Sequence, residues 1–131
     1  MVTVKEIMTP TVVSISPDEL LVNAMELIVE NKISGLPVID DDGRLVGIIS
    51  EFDRIKLQSD ATHDMATAKV SEWMTHGVIT VDENATLDQV AELLVRASIR
   101  RIPVTSDGSV IGIVGRRDLV RALNVDPNAT S

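Results

Sequence analysis

The sequence predicts a mixed α/β (α+β) fold built from two copies of one β-α-β-β-α unit. Three observations lead there. First, the chain repeats itself: a shift of 66 aligns Met8-Thr9 with Met74-Thr75, Val12 with Val78, Leu21 with Leu87, Ile33 with Ile99 and Pro37-Val38 with Pro103-Val104. After one deletion in an acidic turn the shift becomes 65, and Gly43 meets Gly108, Gly47-Ile48 meets Gly112-Ile113 and Asp53 meets Asp118. Second, each copy holds two apolar strand-like runs around a Gly-bearing turn, the pattern of a hairpin. Third, each copy ends with a buried-type strand that runs directly into a helix start. These junctions are Gly47-Ile48-Ile49-Ser50-Glu51-Phe52-Asp53 and Gly112-Ile113-Val114-Gly115-Arg116-Arg117-Asp118.

The elements follow in order. Val4 to Met8 is a short helical lead-in, matched by Val70 to Met74. Thr11 to Ile15 is β-branched and strand-like, matched by Val78 to Val81. A helix comes next, with Leu20, Leu21, Ala24, Met25, Leu27 and Ile28 at amphipathic spacing. Its start is open between Ser16-Pro17, a capping-box signature, and a point near Leu20 that the repeat register favours. In the second copy Thr86 and Gln89 form the capping box that opens Leu87, Val90, Ala91 and Leu94. Gly35 to Ile39, the turn Asp40 to Gly43, and Leu45 to Ile49 form the hairpin, and a helix capped at Ser50 closes the copy. The domains read as 1–60 and 69–123, joined by a polar connector over 61–68 and followed by a flexible tail over 124–131. A copy of this size is marginal alone, so the two are expected to pack through their sheets about a pseudo-twofold axis.

Composition narrows the function. The 131 residues carry a net charge of −8, which opposes binding to nucleic acid or to an anionic membrane surface. The only aromatic residues are Phe52 and Trp73, so base stacking is not the expected mode of recognition. The absence of cysteine removes disulfides and thiolate chemistry, and a cytoplasmic location is expected. No Walker loop, metal-ligand cluster or nucleophile–base pair is present, and His63 and His76 have no ligand spacing, so the chain reads as no enzyme. Asp40-Asp41-Asp42 lacks the remaining ligands of a calcium loop and reads as a solvated turn.

The two junctions carry the candidate chemistry. Each places a carboxylate at the start of a helix, where unpaired N–H groups favour an anion. Ser50 and Asp53 have the spacing of a helix cap, worth about 1 kcal/mol. The same pair suits a ligand, with Asp53 on a ribose diol and Ser50 near a phosphate. In the second copy Asp118 is kept, Gly115 replaces the hydroxyl, and Arg116 and Arg117 occupy the first helical positions. A cation there opposes the macrodipole unless an anion answers it.

These residues resemble the cystathionine-β-synthase (CBS) domain family, as a tandem pair or Bateman module, over Val4 to about Leu123. The resemblance rests on Ile7-Met8-Thr9-Pro10, on Ile33 through Asp40, on Gly47 through Asp53, and in copy two on Ile99 through Val104 and Gly112 through Asp118. It implies a regulatory, non-catalytic module that needs no cofactor and binds an adenosine-bearing small molecule (AMP, ADP, ATP, S-adenosylmethionine or a dinucleotide, with the AMP, ADP or ATP type taken as the expectation) in the cleft between the copies. It also implies a homodimer, acting on an unidentified protein partner. Carried over residue by residue, it implies adenine slots lined by Val12, Ile33, Leu36, Pro37, Val78, Ile102 and Pro103. It implies polar contacts from Ser50, Asp53, Arg101, Arg116, Arg117 and Asp118, with Arg101 reaching the phosphates. Gly115 departs from the family pattern and leaves open an adaptor protein with decayed sites.

Overall fold

Two small sheets, each flanked by helices, carry the chain. The structure is a computed structural model and describes residues 1–10, 13–62 and 64–125. The elements are α1 (Val4–Ile7), α2 (Leu21–Glu30), β1 (Gly35–Ile39), β2 (Leu45–Ser50), α3 (Glu51–Ser59), α4 (Val70–Trp73), β3 (Val81–Asp82), α5 (Leu87–Arg96), β4 (Arg101–Ser106), β5 (Ser109–Gly115) and α6 (Arg116–Val125). They form two compact units, one of Val13–Val78 and one of Met1–Val12 with Ile79–Ser131. We call them the Asp53 unit and the Asp118 unit.

In the Asp53 unit β1 and β2 pair antiparallel, from Gly35 opposite Ser50 to Ile39 opposite Leu45, with a register shift between Val38 and Ile39. The strand expected over Thr11–Ile15 is reduced, among the described residues, to a single parallel bridge from Ile15 to Val38. Asp40 organises the turn: its Oδ1 accepts from the Asp42 and Arg44 N–H groups at 2.9 and 3.0 Å. Helix α2 starts at Leu21, as the repeat register favoured, and Leu20 at the N-cap supplies no side-chain hydrogen bond. Ser16 instead serves a turn, accepting from the Asp18 N–H at 3.3 Å. Leu21, Ala24 and Ile28 bury one stripe of α2 against Leu36, Val38, Ile49 and Leu57. Trp73 packs against the same cluster.

The Asp118 unit repeats the plan. β4 pairs antiparallel with β5, and the register shift recurs at the equivalent place, between Val104 and Thr105. Asp107 and Gly108, with φ of 51° and 83°, make the tight turn that such a hairpin requires. β3 adds a third, parallel strand through Val81 and Asp82, shorter than the Val78–Val81 segment read from sequence and displaced along it. Helix α5 has the predicted cap: Gln89 N–H donates to Thr86 Oγ1 at 3.1 Å, and Thr86 N–H to Gln89 Oε1 at 2.9 Å. Its stripe of Leu87, Val90 and Leu94 buries against Ile102, Val104, Val114 and Leu119. Helix α6 continues through Val125.

The units do not follow the repeats. The first lead-in, α1, belongs to the Asp118 unit: Thr9 exchanges backbone hydrogen bonds with Ile113 at 2.8 and 3.0 Å. The second lead-in, α4, belongs to the Asp53 unit, where Thr75 exchanges the same pair with Ile48. Each lead-in therefore closes the sheet of the other repeat.

Candidate functional site

Each unit brings its strand–helix junction to the end of its hairpin. In the Asp53 unit, Gly35 pairs with Ser50, and a Cβ on Gly35 would stand 3.1 Å from the Ile49 carbonyl oxygen. The tight fit lets the Ser34 carbonyl accept from the Glu51 N–H at 3.0 Å. The Asp118 unit has the same tie, from Arg116 N–H to the Arg100 carbonyl at 3.2 Å. The first amide of each helix is thus already bonded, so the sequence-based expectation of a fully free set of N–H groups is corrected.

The two carboxylates differ. Asp53 is buried, and its side chain is 2% exposed. Its Oδ2 accepts from the Ser50 N–H at 2.7 Å and from the Ser50 hydroxyl at 3.1 Å. Its Oδ1 takes the Lys56 ammonium at 2.9 Å. That ammonium also lies over the Phe52 ring, 5.7 Å from its centroid. Asp118 is 15% exposed. Its Oδ2 accepts from the Gly115 N–H at 2.7 Å, whereas among the described residues Oδ1 has only the Thr9 hydroxyl at 3.5 Å and an Arg121 nitrogen at 3.9 Å.

Arginines surround the second junction. Arg116 donates through Nε to the Ile99 carbonyl at 3.3 Å, leaving its two terminal nitrogens uncommitted to that bond. The Arg101 stem runs beside Gly115, where a Cβ would meet Arg101 Cγ at 3.5 Å. Arg101, Arg116 and Arg117 are exposed, and none of them has an ion-pair partner among the described residues. An exposed anion-sized group with negative charge is what such uncompensated guanidiniums fit.

The apolar candidates lie deeper. Leu36 and Ile102 are fully buried in the two core clusters, and Pro37 and Pro103 are buried beside them. Ile33 and Val78 are half-buried. Val12 and His63 lie outside the described residues. No group of three or more His, Cys, Asp or Glu residues that could hold a metal ion occurs among the described residues. Lys56 is the residue that sequence reasoning missed. The signal was present, because Lys56 follows Asp53 by three positions, which places both on one helix face.

A helix, a hairpin and a helix, with a carboxylate at the final strand–helix junction, occur twice and define a tandem α+β domain pair. The chain belongs to the CBS domain family: the family model for the CBS domain matches residues 4–60 and again 70–125. Among curated proteins it is 34% identical over 135 residues to the chloroplastic CBS domain-containing protein CBSX1 of Arabidopsis thaliana, covering 82% of this chain and 57% of that one. The chain thus spans little more than half of that relative's length. Among solved structures it resembles CBSX2 of Arabidopsis thaliana in complex with AMP, at 35% identity and a TM-score of 0.86, covering 98% of this chain and all of that one. It also resembles the CBS domain pair of protein MJ0100 in complex with 5′-methylthioadenosine and S-adenosyl-L-methionine. There the identity is 28% and the TM-score 0.82, with 95% and 98% of the two chains covered. No helix among the described residues is long and apolar enough to cross a membrane.

Proposed function

We propose that the chain is a non-catalytic regulatory module that binds an adenosine nucleotide of the AMP, ADP or ATP type at its strand–helix junctions. The observation that carries this is the Asp118 carboxylate, with one oxygen short of close donors and exposed arginines alongside. A ribose diol would supply the donors, and Arg101, Arg116 and Arg117 would face the phosphates. Two solved relatives at 28–35% identity hold adenosine-bearing ligands, which supports the same class here. Adenine would lie against the rim of the apolar residues, Ile33, Leu36, Pro37 and Val78 in the Asp53 unit or Ile102 and Pro103 in the Asp118 unit. Ligand-dependent change in the preference for two arrangements would then transmit the signal to a protein partner.

A homodimer belongs to the same reading. Ile55 and Val120 hold the same repeat position on α3 and α6, and both are more than half exposed, as is Phe52. Apolar side chains kept outside at matching positions suit contact with a second copy. The cysteine-free composition suits a cytoplasmic setting. A second reading, an adaptor with a decayed site, draws on Gly115, which removes the hydroxyl that Ser50 supplies in the other unit.

Calorimetric titration with AMP, ADP, ATP, S-adenosylmethionine and NADH tests the proposal. Micromolar binding of an adenosine nucleotide, without product formation, is the expected result. Absence of heat and of thermal shift with all five would favour the adaptor. Sedimentation at micromolar protein should give the mass of two chains.

A further inference from the structure

The same repeat position carries two different cations with two different geometries. Lys56 follows Asp53 by three residues, and Arg121 follows Asp118 by three. The Lys56 ammonium reaches Asp53 Oδ1 at 2.9 Å, while the Arg121 guanidinium stays at 3.9 Å from Asp118 Oδ1 and is 73% exposed. Ser50 adds a hydroxyl donor to Asp53 that Gly115 cannot offer to Asp118. Both oxygens of Asp53 are thus held within 3.1 Å from its own unit, Oδ2 by Ser50 and Oδ1 by Lys56, whereas among the described residues Asp118 Oδ1 has no hydrogen-bond or ion-pair partner closer than the Thr9 hydroxyl at 3.5 Å.

Charge divides the two junctions in the same sense. The first helical residue is Glu51 in one and Arg116 in the other. Over the residues of the Asp53 unit, twelve Asp and Glu stand against five Lys and Arg, a net charge of −7. Over those of the Asp118 unit, eight stand against seven, a net charge of −1. Net charge therefore opposes a phosphate more strongly in the first unit than in the second.

We propose that Lys56 is a built-in occupant of the Asp53 carboxylate, so that each chain takes one phosphorylated nucleotide, at the Asp118 junction. This rests on the nucleotide-binding reading above. A ribose diol entering the Asp53 unit has to displace an ammonium from a carboxylate that is 2% exposed, and the freed carboxylate keeps little solvent. At Asp118 the diol meets an oxygen whose present partners are long. The Asp53 junction thereby serves as a rigid cap of α3, and the asymmetry assigns sensing to the other unit.

The test is calorimetric stoichiometry with AMP on the full chain. The wild type should bind one AMP per chain, and Asp118→Asn should weaken binding at least tenfold. Lys56→Met should admit a second, weaker AMP. In the reverse transfer, Arg121→Lys should weaken the single site at least tenfold. Two equal sites in the wild type, or a single site that survives Asp118→Asn, would overturn the asymmetry and leave the nucleotide reading standing. So would Lys56→Met remaining at one AMP. No AMP bound by either the wild type or Lys56→Met would overturn both.

Discussion

Gly112 and Thr9 approach so closely that a Cβ on Gly112 would stand 2.8 Å from the Thr9 carbonyl oxygen. Gly47 and Thr75 repeat the relationship at the same distance in the other unit. The side chains of Met8 and Met74 crowd the same two glycines. The glycines are what let each lead-in lie on its sheet and exchange two backbone hydrogen bonds with Ile113 or Ile48. Gly47→Ala and Gly112→Ala should each destabilise the protein by about 1–3 kcal/mol, because backbone cannot yield as a side chain tip can. Urea denaturation measures it, and a cost under about 0.5 kcal/mol would contradict the packing described.

The two junction carboxylates should separate in stability as well as in binding. Asp53→Asn removes the charge that answers Lys56 and weakens two bonds from Ser50, at a buried position. Its expected cost is about 1–3 kcal/mol. Asp118→Asn disturbs one short bond at a partly exposed position, and about 0.5–1.5 kcal/mol is expected. Equal midpoints for the two variants in chemical denaturation would show that Lys56 adds nothing to Asp53.

Arg101→Ala and Arg116→Ala should each lower nucleotide affinity by roughly three- to thirtyfold, the loss of one or two hydrogen bonds to a charged group. Both residues are exposed, so folding stability should stay within about 0.5 kcal/mol of the wild type. Affinity should also fall with added salt, since the guanidiniums lie at the surface. Titration at two ionic strengths, with parallel melting curves, separates a phosphate contact from a folding defect.

Thr86→Ala should cost about 1 kcal/mol, the value of an N-cap whose hydroxyl accepts a backbone N–H. Leu20 holds the equivalent position on α2 and makes no such bond. Thermal unfolding of Thr86→Ala at an unchanged midpoint would show that the cap is dispensable.

Much of this was legible from short-range pattern. Apolar spacing located α2 and α5, and Leu87, Val90 and Leu94 proved to be the buried stripe of α5. Gly43 and Gly108 marked both hairpins, because few residues other than glycine accept a turn with positive φ. The first strand of each copy was overread. Thr11–Ile15 is as β-branched as a strand, yet a strand exists only where a partner offers hydrogen bonds along it, and among its described residues Ile15 finds one bridge. At the Asp118 junction the sequence names Arg101, Arg116 and Arg117 but not their lack of ion-pair partners among the described residues.

By itself the sequence determined the duplication, the hairpins, the helix faces and the two strand–helix junctions. These depend on neighbours within a few residues, where backbone geometry dictates which side chains share a face. Tertiary structure alone decided two things. One is that each lead-in closes the sheet of the opposite repeat, a pairing between segments far apart in the chain that both repeats could satisfy equally in one dimension. The other is that Lys56 closes on its carboxylate while Arg121 stands off. Charge and spacing are the same in both, but the cations are a Lys and an Arg, and the carboxylates differ in burial, with 2% exposure at Asp53 and 15% at Asp118.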